Sequence, residues 1–250
     1  MKVFLGSVVW REESVGHAQC MRQFARELDR RGIEFVDGTV VGDALVSRAR
    51  SIVASTFLRS DCDVLLTIDS DIWFRPQDAI SIAEKALAYD IIGGLYMTRS
   101  LQTQPAMMLP DEPVVMAEGQ EPVESKYLST GFMAVHRSVF ERLASTLPLC
   151  HQGWNDRGQD TSFWPFYMPF TIPWEGDGHM YLSEDWAFCQ RAKELGYRVW
   201  LDPSIRLGHY GSVMYTLEDL VRPPKPSPTP LALVRHANGE LETKVLEGIK

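Results

Sequence analysis

The segment Val64-Leu65-Leu66-Thr67-Ile68-Asp69-Ser70-Asp71 decides the fold, because an apolar, β-branched run leads directly into two aspartates. A continuous run of this kind predicts a buried strand in a parallel sheet. In an open parallel sheet, ligands bind beyond the carboxyl ends of the strands, which is where Asp69 and Asp71 follow. The two-residue period of extended chain would direct both carboxylates to one side and Ser70 to the other. The pair therefore predicts a site for one hard divalent cation, Mg²⁺ or Mn²⁺.

A second Asp-x-Asp motif, Asp61-Cys62-Asp63, shows that the motif alone is weak evidence of a cation site. Chance supplies about one copy in a chain of ordinary composition. This copy precedes the apolar run. In a parallel sheet it would lie at the edge opposite to the ligand-binding edge, so we interpret it as a loop. The alternative interpretation of Asp69-Ser70-Asp71 is a solvated turn that caps the following helix.

Strands alternate with helices through the first hundred residues. The patterns predict strands at 3–10, 33–36, 64–68 and 91–95, and helices at 18–28, 43–58 and 76–88. Asp43 is the predicted N-cap of the second helix, Gly32 the stop after the first, and Pro76 the first residue of the third. This alternation predicts an α/β fold with right-handed crossovers and a mostly parallel sheet.

The second half is less regular. The sequence predicts a strand at 127–136 interrupted by Gly131, a helix at 138–144, an irregular aromatic-rich segment at 147–179, a helix at 183–195 and a strand at 197–201. Ser183 is the predicted N-cap of the last helix, which carries two acidic residues in its first turn and stops at Gly196. The proline-rich run 223–230 predicts an extended connector, followed by an edge hairpin around Asn238-Gly239. The predicted division is a domain at 1–220 and a connector with tail at 221–250.

Composition excludes several classes of protein. A net charge of −8 and a pI near 5.3 argue against a broad nucleic-acid-binding surface. Four widely spaced cysteines form no C-x-x-C pair, so neither a zinc site nor a disulfide framework is indicated. No targeting signal or membrane-spanning run is visible, and we expect a cytoplasmic protein with reduced thiols.

Three pieces of sequence carry a resemblance to a known family. They are the run 65–71, the segment 127–137 around Gly131, and Ser183-Glu184-Asp185-Trp186 leading to His209. Over roughly residues 2–211 the chain resembles a GT-A-fold nucleotide-sugar glycosyltransferase, most closely the small bacterial and phage members near family 2. The resemblance implies a mostly parallel central sheet flanked by helices, with a Rossmann-like nucleotide-binding half and an acceptor half.

The resemblance also implies roles for the acidic residues. Asp69 and Asp71 would hold the Mn²⁺ or Mg²⁺ that bridges the diphosphate of the donor, and His209 would complete that site. A neutral imidazole suits Mn²⁺ better than Mg²⁺. Asp185 would be the base that takes the proton from the attacking hydroxyl, with Glu184 as the second candidate.

The remaining implied contacts are less specific, and packing or surface roles stay open for each of them. The donor nucleotide would contact the exits of the first two strands and the following helix, together with the Asp-x-Asp itself: Ser7, Val8, Val9, Trp10, Asp37, Arg48, Arg50, Asp69 and Ser70. Aromatic planes suit sugars and bases. The candidate acceptor residues are Gly131, Phe132, Trp154 and Trp174.

The sequence thus predicts a metal-dependent glycosyltransferase that moves a hexose from a nucleoside diphosphate sugar, with a UDP-sugar favoured over a GDP-sugar, to an acceptor hydroxyl. The acceptor stays open among glycans, lipids, proteins and, as in phages, hydroxymethylated DNA bases, which the net charge disfavours. Inversion and retention are both compatible with the motifs. A sugar nucleotidyltransferase is a second class, but its Gly-rich basic loop does not match residues 6–16. A third class is a catalytically dead carbohydrate-binding module.

Overall fold

The computed structural model describes residues 1–100, 103–152, 162–174, 176–211, 213–220, 231–235 and 241–245. Its helices are α1 (Val15–Arg31), α2 (Val46–Arg59), α3 (Pro76–Tyr89), α4 (Arg137–Ala144) and α5 (Glu184–Glu194), with a 3₁₀ turn at Leu217–Leu220. Its strands are β1 (Lys2–Gly6), β2 (Val8–Val9), β3 (Glu34–Asp37), β4 (Val40–Val41), β5 (Val64–Ile68), β6 (Ile72–Trp73), β7 (Ile91–Gly93), β8 (Val123–Glu124), β9 (Phe132–His136), β10 (Cys150–His151), β11 (Ser162–Phe163), β12 (Phe170–Pro173), β13 (His179–Leu182), β14 (Trp200–Leu201), β15 (Gly208–Tyr210), β16 (Met214–Tyr215), β17 (Leu231–Arg235) and β18 (Leu241–Val245).

The central sheet has seven strands in the order β3-β1-β5-β9-β7-β14-β8. Strands β3, β1, β5, β7 and β14 run in one direction, whereas β9 and β8 run in the opposite one. The predicted α/β fold with a mostly parallel sheet flanked by helices is therefore confirmed. The antiparallel β9 lies between β5 and β7, and its first residue, Phe132, pairs with Ile68 at the carboxyl end of β5.

Apolar layers cover both faces of the sheet, which explains the uninterrupted apolar run of β5. Leu66 packs with Phe24 of α1 and Ile80 of α3 on one face, while Leu65 packs with Phe57 of α2 and Phe188 of α5 on the other. All five residues of β5 are buried. Burial of each large apolar side chain contributes about 1.5–3 kcal/mol to folding, so the end of β5 has a rigid support.

The helix boundaries confirm two of the predicted signals and correct a third. Gly32 ends α1 in the left-handed conformation with φ 66°, which glycine adopts without steric cost. Pro76 is the first residue of α3. Asp43 is not the N-cap of α2, because this helix begins at Val46 and the Asp43 carboxylate instead accepts hydrogen bonds from Leu45 N and from Arg48.

Several predicted strands are shorter than the patterns suggested. The predicted strand 3–10 divides into β1 and β2 at Ser7, whose carbonyl accepts a hydrogen bond from Val40 N, so that the chain leaves the central sheet and pairs with β4. The predicted strand 127–136 begins only at Phe132, and 197–201 is reduced to β14. The segment 147–179, predicted to be irregular, contains β10, β11, β12 and the start of β13.

The C-terminal strands β17 and β18 form the predicted antiparallel hairpin, with Leu231 opposite Val245 and Arg235 opposite Leu241. This hairpin is its own two-stranded sheet and does not extend an edge of the central sheet. The proline-rich run 223–230 and Asn238-Gly239 lie outside the described residues, and the division at residue 220 stays a prediction. Among the helices in the described ranges, none combines the length and apolar character that a membrane crossing needs.

Candidate functional site

The Asp-x-Asp is a turn at the carboxyl end of β5. Ile72 N donates to Asp69 O at 3.0 Å, so the chain reverses and the prediction of an extended Asp69-Ser70-Asp71 is wrong. Asp69 N donates to Gly131 O at 3.0 Å, which fixes the turn against the start of β9. Each carboxylate is consequently oriented by partners of its own.

Arg50 of α2 holds Asp69 in a bidentate ion pair, with Nη1–Oδ1 and Nη2–Oδ2 distances of 2.8 and 3.0 Å. Its Nε lies 3.8 Å from carboxylate oxygens of both Glu184 and Asp185. The side chain is only 7% exposed. Burial would lower the pKa of Arg50, but Asp69 and Asp185 outweigh it and raise this pKa. One buried cation therefore joins the Asp-x-Asp turn to the acidic start of α5.

Asp185 lies in the first turn of α5, as predicted, with Ser183 at the N-cap position but without a capping hydrogen bond from its side chain. Thr130 Oγ1 donates to Asp185 Oδ1 at 2.6 Å. Burial raises the pKa of Asp185 to about 6; Arg50 and Thr130 lower it, whereas Glu184 and Asp69 raise it. A carboxylate that titrates near neutral pH and is fixed in orientation is suited to act as a general base.

Asp71 is paired with His209 and Arg99. Its Oδ2 lies 2.7 Å from Arg99 Nη1 and 3.4 Å from His209 Nε2. Burial would raise the pKa of Asp71, but His209 and Arg99 outweigh it, so this pKa lies below its ordinary value. The antiparallel pairing of β6 with β15 brings Asp71 and His209 together, because Ile72 is opposite His209 and Tyr210 N donates to Asp71 O at 2.8 Å.

The hydrogen bond of His209 Nδ1 determines whether Nε2 carries a proton or a lone pair in the neutral ring. Nδ1 lies 2.7 Å from Met97 O, and a carbonyl can only accept, so this geometry assigns the ring proton to Nδ1. In the neutral ring, Nε2 then carries a lone pair directed toward Asp71, which a cation between the two would bind; the protonated ring, whose Nε2–H faces Asp71, is the form that lowers the pKa of this carboxyl. An imidazole nitrogen and a carboxylate oxygen are a donor set that suits Mn²⁺, so Asp71 and His209 fit the implied metal.

Asp69 fits a direct metal ligand less well, because Arg50 already binds both of its oxygens. Within the ranges that the structure describes, no three His, Cys, Asp or Glu side chains are close enough to hold a metal by themselves. A cation bound by Asp71 and His209 would need further oxygen ligands. A diphosphate is one group that supplies such oxygens.

A cavity of about 220 Å³ opens beside the turn. Trp10 is 51% exposed at this cavity, and the guanidinium of Arg11 lies 5.8 Å from the centre of the indole ring. The structure therefore brings five of the predicted donor residues to one cavity, namely Val8, Trp10, Arg50, Asp69 and Ser70. The complete lining is Val8, Trp10, Asp43, Ala44, Val46, Arg50, Asp69, Ser70 and Asp71.

Four other predicted donor residues lie outside this lining. Ser7 is buried, and its Oγ donates to Ile68 O at 2.9 Å, which joins the exits of β1 and β5. Val9 is 6% exposed and faces the interior, because alternation along β2 turns Val8 to the cavity instead. Asp37 accepts from Thr39, and Arg48 is occupied by the ion pair with Asp43. The structure thus exposes little of Ser7 or Val9 to the cavity, and their contact with a nucleotide stays a prediction.

The predicted acceptor residues are divided by the structure. A Cβ on Gly131 would lie 2.5 Å from Tyr96 Oη and 3.0 Å from Asp69 Oδ2, so only glycine fits beneath the turn. Phe132 is fully buried, with its ring 5.7 Å from that of Phe74, and an acceptor contact at Phe132 is wrong. Trp174 is 51% exposed at the end of β12. Trp154 lies outside the described residues.

Sequence reasoning missed Thr130, Tyr96 and Arg99. Thr130 orients Asp185, and the buried hydroxyl of Tyr96 accepts from Gly131 N at 3.2 Å. Burial, Asp69 and Asp185 raise the pKa of Tyr96, which keeps this hydroxyl neutral beneath the carboxylates. Two polar stretches were the available signal: Thr98-Arg99-Ser100 shortly after the predicted strand 91–95, and Ser129-Thr130 before Gly131 in the predicted strand 127–136.

The opposite edge of the sheet has a different character. There Asp63 accepts from Lys2 N at 2.7 Å and Asp61 pairs with Lys2 Nζ, so Asp61-Cys62-Asp63 lies away from the cavity, as predicted. A larger cavity of about 520 Å³, lined in part by Tyr89, Arg142 and Trp200, contacts none of the clustered carboxylates. We place the candidate site at the smaller cavity, where the strand exits bring acidic and basic side chains together.

Comparisons with known proteins yield matches of structure only. No protein-family model matches the chain, and no curated protein sequence matches it. Solved structures that match include GalNAc-T7 with UDP, GalNAc and Mn²⁺ (14% identity, TM-score 0.46, covering 91% of this chain and 46% of that chain). The catalytic domain of Drosophila beta1,4galactosyltransferase 7 with xylobiose matches at 11% identity and a TM-score of 0.43, covering 98% of this chain and 94% of that chain. S. aureus TarS matches at 10% identity and 0.41, covering 82% and 59%.

The matched structures are glycosyltransferases of the GT-A type, the class that the sequence resembles. The chain spans about half the length of the GalNAc-T7 chain. Because these TM-scores are below 0.5, we derive the function of this chain from its own residues and geometry.

Proposed function

We propose that the chain is a glycosyltransferase that moves a hexose from a nucleoside diphosphate sugar, with a UDP-sugar favoured, to an acceptor hydroxyl. The observation that supports this most is the buried Arg50, which joins Asp69 at the cavity to Asp185 at the start of α5. A carboxylate that lines the proposed donor cavity and a candidate base thereby belong to one polar cluster. Positioning of both reactants in one site is the main requirement for group transfer.

The donor diphosphate would occupy the cavity beside Asp69, Ser70 and Asp71. Asp71 and the Nε2 of His209 would hold the Mn²⁺ or Mg²⁺. When bound, such a cation neutralises the charge that develops on a leaving diphosphate. Arg99 is half exposed beside Asp71. Its guanidinium would provide a second positive charge for the oxygens of the leaving diphosphate. Trp10 offers its exposed indole face to the nucleobase.

Asp185 is the proposed base for the acceptor hydroxyl, with Glu184 as the second candidate. Thr130 fixes the Asp185 carboxylate through the 2.6 Å hydrogen bond to Oδ1. The other oxygen of Asp185, Oδ2, would take the proton of the acceptor hydroxyl as this hydroxyl attacks the anomeric carbon of the donor sugar. Direct attack of this kind inverts the anomeric configuration.

The pH dependence of transfer should follow Asp185. Because a base acts only when it is deprotonated, we expect kcat/KM to fall about tenfold per pH unit below pH about 6, the pKa of Asp185. Since Glu184 raises this pKa, Glu184→Gln should shift the acidic limb to lower pH. Initial rates between pH 4.5 and 8 measure the acidic limb of the parent protein and that of the Glu184→Gln variant. A flat profile over this range, or a shift to higher pH in the variant, would exclude Asp185 as the base.

The function is tested by a panel of nucleotide sugars with Mn²⁺, scored for donor hydrolysis and for transfer. The Asp69→Ala, Asp71→Ala double variant should lose at least about 100-fold in rate, because the cation that would neutralise the diphosphate loses its ligand Asp71 and the turn loses Asp69. The Asp61→Ala, Asp63→Ala double variant is the matched control, since it removes an Asp-x-Asp at the other edge of the sheet. Equal rates in the two double variants would contradict the proposal. Pyrophosphate release from a nucleoside triphosphate and a sugar phosphate would indicate a nucleotidyltransferase instead.

A further inference from the structure

The hairpin formed by β12 and β13 has an inner and an outer face. Its antiparallel register places Thr171 opposite Tyr181 and Pro173 opposite His179. These four residues are exposed, whereas Phe170, Ile172, Met180 and Leu182 alternate with them and pack toward the core. The outer face is thus a small, flat and uncovered surface among the residues that the structure describes.

Large apolar side chains project from this hairpin without a role in the core. Tyr181 is 65% exposed and Trp174, directly after β12, is 51% exposed. In the same region the rings of Phe166 and Tyr167 are almost completely buried and belong to the core, which the rings of Tyr181 and Trp174 do not enter. Exposed rings of tyrosine and tryptophan combine an apolar plane with a polar tip, and a pyranose ring with an apolar C–H face and hydroxyl edges matches that chemistry.

The hairpin leads directly into the acidic start of α5. β13 ends at Leu182, and only Ser183 separates it from Glu184 and Asp185. Leu182 is buried, so Tyr181 faces away from the core one residue earlier in the strand. Tyr181 of the outer face is therefore four positions before Asp185, the carboxylate that we propose as the base.

Charge distinguishes between the possible occupants of this face. No Lys or Arg occurs between Arg157 and Arg191 in the sequence. Arg191 itself covers the ring of Phe170, at 4.5 Å, and donates to Phe166 O. A nucleic-acid acceptor requires cations that face its phosphates, and the described residues of the outer face, Thr171, Pro173, His179 and Tyr181, include neither Lys nor Arg. A neutral ligand avoids both this requirement and repulsion by the nearby carboxylates.

From these observations we infer that the acceptor is a neutral carbohydrate, stacked on Tyr181 and Trp174 of the hairpin. This inference rests on the proposed function and specifies its acceptor class. The hydroxyl that receives the hexose would extend past Ser183 toward Asp185. Phosphorylated acceptors, including a base within DNA, would bind this face poorly.

The test measures acceptor and donor binding separately. Saturation-transfer NMR with cellobiose, lactose, maltose and xylobiose scores carbohydrate binding, a DNA duplex serves as the opposing ligand, and UDP with Mn²⁺ reports the donor site. We expect at least one disaccharide to bind, with at least about tenfold weaker binding in the Tyr181→Ala, Trp174→Ala double variant. Tyr181→Phe keeps the ring and should bind as the parent does. Leu87→Ala, at an exposed apolar position of α3, is the control for surface truncation.

Three outcomes would overturn the inference: no disaccharide binds to a protein that binds UDP, disaccharide binding is the same in the double variant, or the duplex binds through Tyr181 and Trp174. UDP affinity should be equal in all three variants, because neither the hairpin nor Leu87 lines the donor cavity. A protein that binds a disaccharide but no nucleotide would contradict the proposed function itself, which separates the two failures. Melting temperatures of the variants show that each one is folded.

Discussion

Replacing Asp185 by asparagine should lower kcat for hexose transfer by about 10²–10⁴-fold, the usual contribution of a positioned general base. Asparagine keeps the shape of the side chain and can still accept the hydrogen bond of Thr130 through Oδ1, so the fold and the donor cavity should persist. Kinetics with a saturating donor give kcat, and calorimetry with UDP and Mn²⁺ gives the donor affinity.

Asp29→Asn, an equivalent change at an exposed position of α1, is the control and should leave both quantities unchanged. An Asp185→Asn enzyme with parental kcat would show that another group takes the proton. A loss that appears only in donor affinity would assign Asp185 to donor binding instead.

Arg50→Met should lower the free energy of unfolding by about 3–5 kcal/mol, because it removes the cation shared by three largely buried carboxylates. Asp69, Glu184 and Asp185 would then face each other without the cation that now lies within 3.8 Å of each of them. For a chain of this size, the loss corresponds to a fall in melting temperature of about 6–20 °C. Urea unfolding at pH 7 measures the difference.

The matched control is Arg48→Met, two residues earlier on α2. Arg48 forms a pair with Asp43 in which the arginine side chain is 41% exposed, so this pair should contribute about 1 kcal/mol or less. The deficit of Arg50→Met should also shrink at pH 5. Without Arg50, which lowers the pKa of Asp185, the folded-state pKa of this carboxyl rises further above its unfolded value, and a raised carboxyl pKa favours the folded state at low pH. Equal losses in the two variants, or equal losses of Arg50→Met at pH 5 and pH 7, would contradict this account.

The sheet and the helices that pack on it were predictable because their signals are local. The apolar run 64–68 is a strand buried on both faces, and the alternation of such runs with helical periodicity leaves few topologies other than a mostly parallel sheet. Pro76 and Gly32 mark helix ends through backbone constraints that act within the residue itself. The acidic first turn of α5 follows from the same kind of local rule.

The assembly of the site depends on contacts between distant residues, which local patterns do not encode. His209 reaches Asp71 only because β6 and β15, more than one hundred residues apart, pair in antiparallel fashion. The antiparallel insertion of β9 places Thr130 and Gly131 between the turn and α5. Phe132 was predicted as a candidate acceptor residue because an aromatic residue after a glycine looks the same in sequence whether it faces a ligand or the core.

Arg50 shows how far sequence reasoning reached in the candidate site. Its position on the second helix predicted that it lies near the donor, and it does line the cavity. Its main partners, however, are the protein's own carboxylates, and the sequence has no signal for a bidentate pair across nineteen positions. The same limit applies to Val8 and Val9, whose orientation is set by the pairing of β2 with β4 rather than with the central sheet.

The central claim is that the turn Asp69-Ser70-Asp71 binds a nucleoside diphosphate together with a divalent cation. Calorimetric titration of UDP in the presence and absence of Mn²⁺ tests this claim most directly. We expect saturable binding of one UDP per chain that requires Mn²⁺, persists in the Asp61→Ala, Asp63→Ala control and disappears in Asp69→Ala, Asp71→Ala. UDP binding that is equally strong without a divalent cation, or that survives loss of both Asp69 and Asp71, would contradict the account.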